Sequence, residues 1–265
     1  PMLTVQGELL TWADCMVEQS LVRAPLPIPE STWITAGLAL TTTAFAYGEP
    51  ERPWLFIRYR VESHRPVSLR VGLHAALRPF QVSPPWQGYQ DIGGVRHIRI
   101  LAFKDGAVRV NGRLALVPLS PHAGFGASTF DEGSIADHLA QDRLPAASEA
   151  LDMFGFASGA LRFDLLVEPG GSQEVWVAAP LGEREDADPA EVLTPDFDGA
   201  ARLESALAQW AERLGAVEMT LPELAADYLE CGKGALAHIL INRDGPALQP
   251  GPRRYTRSWI RDGAV

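Results

Sequence analysis

A mainly β fold, an antiparallel sandwich followed by two helices, is what this sequence predicts. Three observations carry that reading. Short alternating apolar stretches separated by turn dipeptides fill residues 1–182. A charged, proline-punctuated stretch follows at 183–197. Beyond it the apolar spacing changes from two residues to about 3.6.

The strands can be justified in order. Residues 32–47 mix threonine, alanine and aromatics and hold one or two strands. Residues 54–61, Trp-Leu-Phe-Ile-Arg-Tyr-Arg-Val, are rich in branched and aromatic side chains. Residues 67–74 alternate, which puts Val67, Leu69, Val71 and Leu73 on one face of a half-buried strand. A strand over 95–103 reaches the turn Asp105-Gly106; Val108 and Val110 follow, and Asn111-Gly112 turns the chain into 114–117. Both dipeptides favour the positive φ that tight hairpins need. Residues 161–167, Pro169-Gly170-Gly171-Ser172 and 174–179 read as a further hairpin. Between these lies a loop-rich excursion from about 121 to 158, with a short helix expected over 134–141. Excursions of that length in a sandwich are often functional loops.

Glu183-Arg184-Glu185-Asp186-Ala187-Asp188-Pro189 is expected to be a solvated linker rather than a metal site. Asp198 caps a helix with Leu203, Leu207, Trp210 and Leu214 on one side. Thr220 and Glu223 have the spacing of a capping box for a second helix, with Pro222 in its first turn. Leu221, Leu224, Ala225, Tyr228, Leu229, Leu236, Ile239 and Leu240 then recur at helical spacing. Gly232 and Gly234 weaken this helix and read as sites of close packing against a neighbour; Asp244-Gly245-Pro246 ends it. The expected organisation is a β-sandwich domain at 1–182, a linker at 183–197 and a helical segment at 198–265.

Composition narrows the functions. Of 265 residues, 46% are hydrophobic and 21% charged, enough to bury a sizeable core. A net charge of −10 argues against nucleic acid and anionic membranes as partners. No apolar run reaches the roughly 18 residues of a membrane helix. Cys15 and Cys231 form no redox or zinc pair; two free thiols are expected, with one long-range disulfide as the alternative. The histidines at 64, 74, 97, 122, 138 and 238 lack paired ligand spacing. No glycine-rich phosphate loop and no Gly-x-Ser-x-Gly elbow occurs, and Cys231-Gly232-Lys233-Gly234 lies inside a helix. No cofactor and no metal are therefore expected. The chain opens Pro1-Met2-Leu3 and stops at Val265 directly after a dense motif, so both ends read as cuts through a longer protein. No signal segment is visible at the start, and a cytoplasmic setting is favoured over a periplasmic or secreted one.

That dense motif carries the chemistry. Gly251 and Pro252 force an irregular loop, after which Arg253, Arg254, Tyr255, Arg257, Trp259, Arg261 and Asp262 crowd two aromatics and four arginines around one carboxylate. Such a group suits a sugar. The C–H face of a pyranose packs on an aromatic ring, Arg offers donors in a rigid fork, and Asp accepts two hydroxyl protons. A neighbouring Arg keeps Asp262 ionised. An Arg–Asp pair held beside a buried Trp for structure alone fits the same residues, and on physics both readings stand.

Tyr255-x-x-x-Trp259-x-Arg261-Asp262 resembles the first pocket motif of glucoamylase-like glycosidases, members of the (α/α)6-barrel or six-hairpin superfamily of glycoside hydrolases and phosphorylases. Members often carry a β-sandwich before the barrel, joined by a linker with helix, and that order matches this chain. The resemblance implies that Arg261 and Asp262 hold hydroxyls of the sugar in subsite −1, that Trp259 walls the pocket and that Tyr255 lies near the reacting ring. It also implies that residues 221–241 are the first barrel helix. The close match covers about ten residues, and Arg257 stands where an aromatic is more usual. Residues 77–87 also resemble the sandwich portion of uncharacterised bacterial proteins of this superfamily, some with coagulation factor 5/8-type (discoidin) modules; no such module is read here.

An inverting glycosidase needs two carboxyl groups about 6.5–9.5 Å apart. In the resembling family both lie on later barrel loops. Twelve helices require on the order of 300 residues, and about 65 follow the linker. The implied reading is the N-terminal part of an inverting glycoside hydrolase acting on oligosaccharides or polysaccharides. Its partner is the missing C-terminal barrel, no catalytic residue lies in this chain, and the chain alone is inactive. A phosphorylase of the same barrel, with phosphate attacking in place of water, is an alternative. Another is a carbohydrate-binding or scaffolding sandwich. There Trp86 and Tyr89, on the loop Pro84-Pro85-Trp86-Gln87-Gly88-Tyr89, form a stacking platform, unless both rings pack in the core or against the barrel.

Overall fold

Alternating apolar residues pair into two antiparallel sheets whose inner faces share one core. The structure, a computed structural model, describes residues 1–82, 94–182, 184–218, 220–244 and 247–248. Strands β1 (Met2–Val5), β2 (Glu8–Leu10), β3 (Met16–Leu21), β4 (Pro29–Thr35), β5 (Leu38–Tyr47), β6 (Trp54–Ser63) and β7 (Leu69–Leu77) come first. A separate pair, β8 (Phe80–Val82) and β9 (Gly94–Arg96), follows. Then come β10 (Ile100–Lys104), β11 (Ala107–Val110), β12 (Arg113–Pro118), β13 (Gly124–Ser128), β14 (Glu149–Leu151), β15 (Ser158–Val167) and β16 (Ser172–Pro180). Helix α1 (Ile135–Leu139) interrupts the strands; α2 (Gly199–Gly215), α3 (Ala226–Ile241) and the short pair β17 (Arg243–Asp244) and β18 (Ala247–Leu248) follow them.

One sheet has five strands in the order β13-β15-β7-β1-β2; the other has nine, β14-β10-β11-β12-β16-β6-β5-β4-β3. The chain forms two units: one of Pro1–Ser20, Pro29–Pro79 and His97–Leu203, the other of Leu21–Ile28, Phe80–Arg96 and Glu204–Val265.

The core of the first unit is written in period two. Leu69, Val71, Leu73 and Ala75 of β7 point inward with Leu161, Phe163 and Val167 of β15; Tyr59, Val61, Val175 and Val177 meet them from the other sheet. The expected hairpin over 161–179 is corrected here. β15 lies between β13 and β7, whereas β16 lies between β12 and β6. Nine-residue ladders onto β7 and β6 hold the two strands in opposite sheets, so residues 168–171 carry the chain across the core.

Turn chemistry behaves as expected. Asp105 and Gly106 have φ of 54° and 76°, and Asn111 and Gly112 have 51° and 83°. The strand expected over 95–103 is instead split into β9 and β10. The Asn111 side chain accepts from the N–H groups of Arg99 and Ile100 at 2.8 and 3.1 Å and donates to the His97 carbonyl at 2.9 Å. Those backbone groups are thus taken from any ladder. Val67 is 60% exposed, because β7 begins only at Leu69.

Both sheets are also covered on their outer faces. On the five-stranded sheet the cover is α1 and the residues after it. Ser134 and Asp137 form a capping box, and Ile135 and Leu139 are buried against Met2 and Ala160. Close approach needs small residues below: a Cβ on Gly126 would run into the carbonyl of Pro145. Much of the 121–158 excursion is therefore a structural cover.

On the nine-stranded sheet Phe45, Phe56, Trp176 and Phe197 form an aromatic cluster with ring centroids 5.8–6.3 Å apart. Gly199 admits the Trp176 indole, which a Cβ there would meet at 2.5 Å, and Arg202 lies 4.9 Å over Phe56 and Phe197. Of the charged run, Glu185, Asp186 and Asp188 face solvent as expected. Arg184 does not: its side chain is 8% exposed and its Nη2 donates to both oxygens of Glu191, at 2.8 and 2.9 Å.

Asp198 caps α2, accepting the Ala201 N–H at 2.9 Å. The second helix departs from expectation. A 3-10 turn over Glu223–Ala225 comes first, with the Ala225 N–H donating to the Pro222 carbonyl at 2.8 Å, and α3 starts at Ala226 without a side-chain cap. The Thr220–Glu223 capping box is therefore not what starts it. Among the described residues nothing lies within 4 Å of a Cβ on Gly234.

Candidate functional site

Tyr255, Trp259, Arg261 and Asp262, with Trp86 and Tyr89, lie outside the described residues. What is described is the helix that leads to the first four. Along α3, Tyr228, Ile239 and Ile241 are 75%, 48% and 51% exposed, and Leu224 just before it is fully exposed. Among the described side chains of α3 only Ala237 is buried. Helical spacing gathers Asp227, Glu230, Lys233 and His238 toward one side of its sequence, Ala-Asp-Tyr-Leu-Glu-Cys-Gly-Lys-Gly-Ala-Leu-Ala-His-Ile-Leu-Ile, and Tyr228, Leu229, Leu236, Ile239 and Leu240 toward the other. An apolar stripe of that kind is one that a neighbouring element normally covers.

A second cluster sits at the rim of the sandwich, and sequence reasoning missed it. Loops 129–134 and 152–157 bring Phe130, Met153, Phe154 and Phe156 to the surface, 61%, 82%, 69% and 39% exposed. The Phe130 ring lies 6.5 Å from Phe154 and 5.8 Å from Phe156, tilted by 62° and 54°, and His97 meets Phe156 edge-on at 5.6 Å. One buried carboxylate ties the loops together. Asp152 accepts the N–H groups of Phe130, Phe154 and Gly155 at 2.5, 2.7 and 3.1 Å. Burial pushes its carboxyl up, but the backbone hydrogen bonds from Phe130, Phe154, Phe156 and Gly155 outweigh burial and hold its pKa below the usual value. The rings are inclined to one another, so they make no flat surface for a sugar face.

No protein-family model matches the chain, and no curated protein matches it. Solved structures do. A bacterial glucoamylase complexed with acarbose superposes on 92% of this chain and 35% of its own, with a TM-score of 0.56 and 11% identity. The likeness is one of fold. This chain spans about a third of that structure's length. A protein from the human microbiome described as a kojibiose phosphorylase aligns with 90% of this chain and 27% of its own at 11% identity, but its TM-score of 0.35 carries no argument.

The described residues also frame a groove of about 600 Å³ lined by Asp105, Arg109, Glu185, Asp186, Asp188 and Leu193. No group of three His, Cys, Asp or Glu among the described residues is placed to hold a metal ion. Cys15 and Cys231 are free thiols, the first half-buried and the second exposed. Asp152 gave no sequence signal because one acid in a loop has no periodicity. The apolar run Met153-Phe154-Gly155-Phe156 beside it was the available clue. Asp152→Ala is expected to lower stability by about 2 kcal/mol, since it strands backbone donors beneath the rim. Urea unfolding at neutral pH measures this, and Asp131→Ala on the neighbouring loop 129–134 is expected to stay within about 0.5 kcal/mol.

Proposed function

We propose that this chain is the N-terminal part of a carbohydrate-active enzyme of the glucoamylase-like class, a sandwich that supports a helical barrel begun by α2 and α3. The observation that carries this reading is α3 itself. It carries an apolar stripe on which Tyr228 and Ile239 stand exposed, and it runs into the stretch that holds Tyr255, Trp259, Arg261 and Asp262. Further barrel helices would bury Leu224, Tyr228, Ile239 and Ile241, each such burial stabilising by roughly 1.5–3 kcal/mol. The fold likeness to a glucoamylase supports the same reading, and that enzyme was complexed with acarbose, an oligosaccharide analogue.

In this account Arg261 and Asp262 hold sugar hydroxyls in subsite −1. The guanidinium donates in a fixed plane and the carboxylate accepts two protons. Trp259 gives the C–H face an apolar wall, and Tyr255 stands near the reacting ring. Asp262 binds and does not donate a proton to the leaving group. The acid and base of an inverting hydrolysis, two carboxyl groups about 6.5–9.5 Å apart, come from later loops of the barrel. The 265-residue chain by itself is inactive on this view. The test is Asp262→Ala in the natural protein extended past Val265. The expected result is a fall in kcat/KM of about 100-fold, the loss of charge-assisted hydrogen bonds to two hydroxyls. A change under threefold removes Asp262 from the pocket.

A further inference from the structure

His74 has no exposed surface, although it points away from the sandwich core. Its neighbours on β7, Leu73 and Ala75, face inward, so the imidazole stands on the outer face of the five-stranded sheet. Across the ladder it is opposite Met2 on β1 and Arg162 on β15. Its Nε2 meets Thr4 Oγ1 at 3.0 Å, while Nδ1 is buried without a hydrogen-bond partner among the described residues. Gly72 leaves room for this arrangement: a Cβ there would collide with Thr4 Oγ1 and stand 3.1 Å from His74 Nε2 and 3.5 Å from Arg162 Cζ.

The outer face is covered by α1 and residues 142–145, through Ile135, Leu139 and Leu144. Arg162 fastens the cover. Its Nη1 donates to the Asp142 carboxylate at 2.8 Å and to the Asp142 carbonyl at 3.3 Å, and its Nε donates to Asp164 at 2.7 Å.

The charged groups around His74 are few. β15 brings Arg162 and Asp164, the covering segment brings Asp142, and β1 brings only the hydroxyl of Thr4. On α1, Asp137 is engaged with Ser134 at the helix start and His138 with the Glu132 carbonyl. Burial and the Arg162 guanidinium outweigh the two carboxylates and push His74 down to about 4. A proton on the ring would set a second cation beside Arg162 and leave an N–H at Nδ1 with nothing to bind. Lifting the cover relieves both, because it wets the ring: water screens the Arg162 charge and accepts from Nδ1. We propose that His74 is an acid-sensing latch, whose protonation releases residues 134–145 from the outer face of the five-stranded sheet while the sandwich core stays folded.

The sign follows from linkage. The closed form takes up its proton near pH 4 and the open form near the ordinary histidine value of about 6.5. Between those values the open form binds more protons, so each unit of falling pH raises its share by up to tenfold. The carboxyls of Glu132 and Asp137 are held below their usual values by hydrogen bonds from Thr129 and Ser134.

Amide hydrogen exchange on the intact chain between pH 7 and 4.5, corrected for intrinsic rates, tests the latch. Protection in 135–145 is expected to fall about tenfold per unit below about pH 6.5, while Leu161, Phe163 and Val177 keep theirs. His74→Gln is expected to abolish the dependence, and His138→Gln to retain it. Constant protection of the segment, an equal loss in the core, or a dependence that survives His74→Gln overturns the proposal. Should His74→Gln not fold, the wild-type ring titration followed by NMR decides. Its midpoint must coincide with the opening of the α1 amides; a ring that titrates while those amides stay protected overturns the latch.

Discussion

Glu191→Ala is expected to destabilise the protein by about 3–4 kcal/mol, as measured by urea unfolding at pH 7. Glu191 is the acceptor on which residues 184–198 are hung. It receives Arg184 through two bonds of 2.8 and 2.9 Å, Arg52 at 3.0 Å, and the indole N–H of Trp54 at 3.0 Å. The Arg184 guanidinium lies 5.6 Å over the Trp54 ring, and its Nε and Nη1 have no hydrogen-bond partner among the described residues. Removing the carboxylate therefore leaves the buried Arg184 charge with only the exposed Asp186 carboxylate, 3.7 Å from its Nε, the costly way to break an ion pair. The comparison is Glu185→Ala. That residue meets Arg113 at 2.9 Å, but with side chains 78% and 52% exposed, and it is expected to lose under 1 kcal/mol. Equal losses in the two variants contradict this account. Burial pushes the Glu191 carboxyl up, yet Arg184, Trp54 and the Asp188 backbone outweigh it and hold it below its usual value. Its contribution is thus complete above the ordinary carboxylate range and declines as pH falls through the lowered value.

Phe163→Ala is expected to cost about 4 kcal/mol, the upper end for truncation of a buried aromatic. Phe163 is fully buried near the middle of β15, whose ladder with β7 runs from Gly159 to Val167. Neighbours held on both sides by ladders cannot collapse into the space, so the cavity term adds to the transfer term. Phe154→Ala removes the same atoms from a ring 69% exposed and is expected to change stability by about 0.5 kcal/mol or less. Midpoints of urea unfolding compare the two directly. A Phe163→Ala loss under 1 kcal/mol contradicts the core placement.

These contrasts also separate what local sequence can show from what it cannot. The inward face of β7 was legible because period two is a property of neighbours along the chain, as were the two hairpin turns and the short helix after Ser134. The sheet that a strand joins is decided elsewhere. Residues 161–179 carry good turn chemistry, yet the ladders on β7 and β6 draw their strands apart. The burial of Arg184 was illegible for the same reason: it depends on Glu191 bonding Trp54, 137 positions away. In the candidate site, residue type left Arg261 and Asp262 open between a sugar grip and a structural pair, and the resemblance carried the sugar reading. The Asp152 tie depends on backbone N–H groups that no residue identity announces.

The central claim is that α3 and the stretch after it belong to a sugar-binding barrel. Turnover of oligosaccharides by the 265-residue chain, set beside turnover by the natural protein extended by about 300 residues past Val265, tests it most directly. The expected result is sugar release or transfer by the extended protein and none by the shorter chain. Turnover by the shorter chain, or an extended protein that neither binds nor converts any oligosaccharide, contradicts it.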